Sequence, residues 1–162
     1  VRSLLPWKEP FQMIDALVEC LPHEAITTLK QVSGDDAMCD PAVPGGTIFP
    51  SALVLEGMGQ SASLLYQISY GKLEPPALPL LGYLKAAHHD VARPGDAITF
   101  VVRAVKMTTT MGLFEATASV GGKRLAEAEF AMGVEAPMQP ETAEKGAPVR
   151  SRRPAPVPPP GD

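Results

Sequence analysis

The sequence predicts an α+β domain in which a curved antiparallel sheet wraps one long central helix. Two observations carry this. Residues 51–71, SALVLEGMGQSASLLYQISYG, are the one long stretch with helical periodicity, and they are apolar nearly all round. A helix without a polar face is a buried helix. Four strand-like segments then follow with no second helix between them, joined through the short links RPG (93–95), TTT (108–110) and GGK (121–123). Links that short join antiparallel neighbours, and a meander beside one buried helix has to fold around it.

The elements follow in order. FQMIDALVECL (11–21) and HEAITTLKQV (23–32) read as two extended, partly alternating stretches split by Pro22. Residues 33–50 carry Gly34, Pro41, Pro44, Gly45, Gly46 and Pro50 and read as loop. In the helix, Gly57 and Gly59 each lower helix propensity by about 1 kcal/mol relative to Ala, so another backbone is expected to pack close to them. The later strands are LLGYLKAAHHDV (80–91), DAITFVVRAVKM (96–107), MGLFEATASV (111–120) and RLAEAEFAMGV (124–134). His23, beside Pro22, reads as a surface turn residue.

Composition changes near residue 136. Residues 136–162 hold 8 of the 18 prolines and no aromatic residue, Leu or Ile, too little apolar surface to offset the entropy of ordering. The chain therefore divides into a domain over 1–135 and a Pro-rich tail over 136–162, disordered or polyproline II, with a basic cluster at Arg150, Arg152 and Arg153.

Several function classes drop out. A net charge of −4 and few aromatics speak against nucleic acid. No apolar run approaches the roughly 20 residues that span a bilayer. Cys20 and Cys39 make no disulfide framework, and the first residues lack the build of a secretory leader, so a cytoplasmic protein is expected. Three scattered histidines offer no metal ligand set, and PGG (44–46) lacks the Lys-Ser/Thr of a phosphate loop, so neither a metal nor another cofactor is expected.

Three ordered blocks carry a family resemblance. LLPWKEPFQMIDAL (4–17), AVPGGTIFPSALVLEGMGQ (42–60) and LLGYLKAAHHDVARPGD (80–96) are similar, at matching spacing, to the conserved stretches of the 3-hydroxyacyl-[acyl-carrier-protein] dehydratases of the FabZ type. The resemblance covers nearly all of residues 3–134. It implies the hotdog fold and a dimer built by joining sheets edge to edge. It also implies a pocket for an acyl thioester on acyl carrier protein or coenzyme A.

The chemistry it implies needs a base to take the proton from the alpha carbon and an acid to protonate the leaving beta hydroxyl. In the family a loop histidine and a helix carboxylate supply these, one from each subunit. Glu56 falls on the carboxylate and Gln60 on the amide that supports it; i,i+4 spacing places both on one helix face. Gly45, Ser51 and Ala52 fall on the region where backbone N–H groups polarise the thioester carbonyl.

The departures are specific. The family histidine position is Ala42, which has no titratable atom, and the glycine that opens the family helix is Ser51. His88, His89 and Asp90 stand where the family has a Phe and basic residues that help dock the carrier protein, and Trp7-Lys8 stands for His-Arg. Candidate substitute bases are Cys39, His88 and His89; the two histidines are adjacent on a strand, so one should face in and the other out.

Four functions remain in view. The first is a catalytically incomplete dehydratase subunit pairing with another hotdog chain. The others are an active dehydratase with a substitute base, a thioesterase using Glu56, and a non-enzymatic acyl-binding scaffold. Met58, Leu65 and Phe49 fit a lipid tunnel and an ordinary core equally well.

Overall fold

The computed structural model describes residues 7–8, 10–34, 39, 47–71, 73 and 78–135. Its elements are β1 (Ala16–Leu21), β2 (Ala25–Gln31), α1 (Ser51–Tyr70), β3 (Leu78–His88), β4 (Ala97–Met107), β5 (Met111–Val120) and β6 (Lys123–Glu135). The six strands form one antiparallel sheet in the order β1-β2-β4-β5-β6-β3. It curves around α1 as the hotdog fold requires. The tail expected over 136–162 lies outside the described residues.

The core is the layer between α1 and the concave face of the sheet. Ile26 of β2, Ile98, Phe100 and Val102 of β4, Phe114 of β5 and Phe130 of β6 alternate onto that face and are buried, as a period of two dictates. They meet Val54, Met58, Leu64 and Leu65 of α1. Polar ties also join the layers: Thr28 Oγ1 and Ser61 Oγ lie 2.7 Å apart, Ser61 Oγ donates to Gly57 O at 2.7 Å, and Tyr70 Oη donates to Met107 O of β4 at 3.0 Å.

Two of the three expected hairpins form. At the β5–β6 turn Gly121 and Gly122 both have positive φ, 57° and 81°, which a side chain would oppose. At the β4–β5 turn Thr108 N donates to Met111 O.

The third hairpin does not form, which corrects the sequence reading. β3 is not beside β4. It pairs with β6 at the far edge, from Leu78↔Glu135 to His88↔Ala126, with an irregularity between Leu81 and Tyr83. A strand has two edges, and β4 uses one for β2 and the other for β5. The Arg93–Gly95 link is instead a turn on a crossover. Gly95, at φ 96°, donates its N–H to Val32 O beyond the end of β2, and Ala92 bridges to Phe49 just before α1.

Strand β1 also starts later than expected. Residues 11–14 are not paired in the sheet; Phe11 O and Met13 N bond to α1 instead, as described below. His23 sits exposed in the β1–β2 turn at φ 66°, its N–H donated to Ser69 Oγ and its ring edge-on to Tyr70. Asp15 fixes the start of this hairpin by accepting from Gln31 N at 2.7 Å and facing Lys30 at 3.9 Å. Asp90 on the crossover pairs with Lys123 of β6, and that hydrogen bond holds the Asp90 carboxyl below the usual value.

Candidate active site

The site is built on the first half of α1. Gln60 is completely buried, and every polar atom of its amide is used. Its Oε1 accepts from Met13 N at 2.8 Å, and its Nε2 donates to Phe11 O at 2.8 Å and to Glu56 Oε1 at 2.9 Å. One amide therefore pins residues 11–13 to the helix and holds the Glu56 carboxylate one turn earlier, as i,i+4 spacing allows. With both amide hydrogens donated, Gln60 orients Glu56 and has no donor left for a ligand.

Glu56 is half-buried and lines a cavity of about 290 Å³. Trp7, Leu55, Gly59, Leu84, Phe130 and Met132 form most of its wall, joined by Ala52, Pro79, Leu81 and Ala128. Apart from Glu56 those side chains are apolar or aromatic, so the site is a greasy slot with one carboxylate, the profile of a small-molecule pocket.

The glycines explain part of this shape, and not as expected. A Cβ on Gly57 would meet the Phe100 ring at 2.4 Å, so an aromatic ring rather than a backbone excludes a side chain there. A Cβ on Gly59 would meet nothing within 4 Å; Gly59 leaves open space that belongs to the cavity.

The helix opens without a side-chain cap. Pro50 precedes it, Leu53 N and Val54 N donate to Pro50 O, and Ser51 and Ala52 are exposed. Ala52 lines the Glu56 cavity and Ser51 does not. Ala42 and Gly45 lie outside the described residues.

None of the three candidate substitute bases lines that cavity. Cys39 is half-buried, its Sγ 3.9 Å from Ser33 O. His88 ends β3, and His89 Nε2 lies 3.4 Å from Glu127 Oε1. Both histidines are exposed; His88 pairs with the fully buried Ala126 and so shares its face of the sheet, but is not covered there. The reason is topological: β3 is an edge strand, and among the described residues no strand lies beyond it. Met58, Leu65 and Phe49 lie in the core: each is at most 1% exposed and none lines the Glu56 cavity.

The sequence reading missed Trp7 and the β3 wall. Trp7 is the chain's one tryptophan, and its uniqueness was the available signal. The β3 side chains Leu80, Leu81, Tyr83 and Leu84 are 41–59% exposed along an open sheet edge. Contiguous apolar exposure of that kind marks a surface that another chain or ligand covers.

Among the described residues no group of His, Cys, Asp and Glu could hold a metal ion. No helix among them is long and apolar enough to cross a membrane.

Comparison with known proteins agrees with this architecture. The FabA-like domain model matches residues 5–129. The 3-hydroxyacyl-[acyl-carrier-protein] dehydratase FabZ of Campylobacter jejuni is 30% identical over 133 residues, covering 80% of this chain and 91% of that protein. The FabZ of Levilactobacillus brevis is 32% identical over 131 residues, with 80% and 87% covered. Among solved structures, the dehydratase heterocomplex ApeI:P of Xenorhabdus doucetiae superposes with a TM-score of 0.72 at 14% identity, covering 83% of this chain and 90% of that one. A hypothetical thioesterase of Streptococcus pneumoniae TIGR4 with coenzyme A gives a TM-score of 0.58 at 12% identity, covering 74% and 84%. At those identities the two structures speak for the fold, while the sequence relatives speak for the family. A buried helix bearing Glu56 and its Gln60 clamp, inside a six-stranded hotdog sheet, thus belongs to a member of the FabA-like domain family of the FabZ dehydratase type.

Proposed function

We propose that this chain is a dehydratase-type subunit that binds a 3-hydroxyacyl thioester, on acyl carrier protein or coenzyme A, and supplies half of the acid/base pair. The observation that carries this is the Glu56 carboxylate, held by Gln60 at one end of an apolar cavity whose other wall is the exposed β3 edge.

The work divides as follows. Glu56, protonated, gives its proton to the beta hydroxyl, which leaves as water. A base removes the alpha proton, and the electron pair closes the carbon–carbon double bond, giving a 2-enoyl thioester. The backbone N–H groups of Ser51 and Ala52, at the positive end of the α1 dipole, polarise the thioester carbonyl as charge develops there. The chain has no histidine to serve as base at the family position, since that residue is Ala42. The base comes from a second hotdog chain docked along β3. That chain also covers Leu81 and Leu84 and closes the cavity. The Xenorhabdus heterocomplex is a precedent for a dehydratase built from two different chains.

The test is dehydration of 3-hydroxyacyl carrier substrates by this chain alone and mixed with hotdog chains that possess the histidine. Activity is expected only in the mixture, and Glu56→Gln in this chain abolishes it. Brisk turnover by the isolated chain would mean that Cys39, His88 or His89 replaces the missing base and that the homodimer is active. Free-thiol release that depends on Glu56 would make the protein a thioesterase. Ligand binding without either reaction would make it an acyl-binding scaffold.

A further inference from the structure

One buried hydroxyl has no role in the fold. Among the described residues, Ser63 Oγ is the buried side-chain polar atom without a hydrogen-bond partner. Its neighbours show that this is not a habit of the helix. Ser61 Oγ and Ser69 Oγ each donate to the carbonyl one turn back, at 2.7 Å, whereas Ser63, only 1% exposed, makes no such bond. A buried unpaired hydroxyl is costly, and such a group calls for a ligand or a reason.

Its position supplies one. Ser63 lies seven residues after Glu56, two helical turns or about 10 Å along the axis, on the same face. Ala52, Leu55, Glu56 and Gly59 of that stripe line the active-site cavity, and Ser63 and Tyr66 continue it into a second hollow. Met132 and Pro79 line both spaces. Alternate β6 residues Phe130, Met132 and Val134 run beneath the stripe in the same direction. Phe130 of the cavity and Phe114 of the hollow pack together, ring centroids 5.6 Å apart. The hollow is too tight to admit a water molecule, so the Ser63 hydroxyl has no solvent partner there. Met132 is unbranched, with three rotatable bonds, and can swing aside.

We infer that the acyl pocket continues from Glu56 past Met132 to Ser63, and that Ser63 Oγ reads a hydrogen-bonding oxygen at the far end of a medium-length acyl chain. This rests on the acyl-binding reading of the Glu56 cavity and names its substrate class: acyl chains oxygenated at the end remote from the thioester. A plain hydrocarbon tail of equal length would leave the hydroxyl unpaired in the complex, as it is in the free protein. A site built to bond an oxygen discriminates against a ligand that lacks one.

The test measures binding of two non-hydrolysable pantetheine analogues, one octanoyl and one ω-hydroxyoctanoyl, to the full-length chain, alone and with its hotdog partner. The hydroxylated analogue is expected to bind about tenfold more tightly, the ratio an ordinary hydrogen bond carries. Ser63→Ala should erase that preference while leaving octanoyl binding no weaker. Ser63→Cys, of similar volume and a poorer donor, should reduce it and serves if the alanine variant folds badly. Equal binding of both analogues to the unaltered chain, or an intact preference in Ser63→Ala, would overturn this inference and leave the acyl site standing. Binding of neither analogue would overturn the acyl site itself, and the inference with it.

Discussion

The two halves of α1 have the same apolar character in sequence and opposite roles in the fold. From Gln60 to Gln67 every residue is buried, and Leu64, Leu65 and Ala62 are completely covered. From Ser51 to Gly59, by contrast, only Val54, Gly57 and Met58 are buried, and Ala52, Leu55, Glu56 and Gly59 face open space. The rear half is packed for stability, apart from the narrow hollow beside Ser63 and Tyr66. The front half is left unpacked along one stripe, and the hinge between them is the saturated Gln60 amide. Composition alone does not separate a helix face filled by the sheet from one that the sheet stands away from.

Mutations along α1 should break this contrast in a graded way. The largest effect is expected from Leu65→Ala in the rear half. It removes a fully buried side chain into a packed surround and should cost about 2–5 kcal/mol, read by denaturant unfolding. A cost near zero would mean that the rear half is as loose as the front. Gln60→Ala should follow, at about 1–3 kcal/mol, because it orphans the buried Met13 N–H. Amide exchange should show residues 11–13 released while β4 and β5 stay protected. If the whole sheet loosens equally, the amide is not a local clamp.

The smallest effect, and the one of opposite sign, belongs to Gly59→Ala. A methyl group there meets no atom, and replacing Gly by Ala within a helix is worth up to about 1 kcal/mol. Stability should therefore rise while affinity for an acyl ligand falls, because the new methyl intrudes into the cavity. Gly57→Ala is the control, since its Cβ collides with Phe100, and it should destabilise. Identical behaviour of the two glycines would show that the cavity is not where the geometry puts it.

Much of this was readable from local pattern. The Glu56–Gln60 pair follows from i,i+4 spacing and is present at 2.9 Å. The β5–β6 turn follows from Gly121-Gly122, and the buried helix from its lack of a polar face. The cavity wall was less legible. Leu81 and Leu84 read as ordinary strand residues until β3 is seen at the sheet edge, and Trp7 lies far from Glu56 in sequence. The unpaired Ser63 looked like one helix serine among several; only its neighbours show that it bonds nothing.

The sequence by itself determined what depends on side-chain periodicity and short spacing: the helix, the strands, two hairpins and the carboxylate–amide pair. Those properties reside within a few residues, where backbone geometry dictates which side chains share a face. Tertiary structure alone decided that β3 crosses to β6 and that Phe100 rather than a backbone fills the space at Gly57. It also decided that the front of α1 stands clear of the sheet while the rear does not. Each of these depends on which distant surfaces compete for the same burial, and residues far apart in the chain leave no local pattern from which to read the outcome.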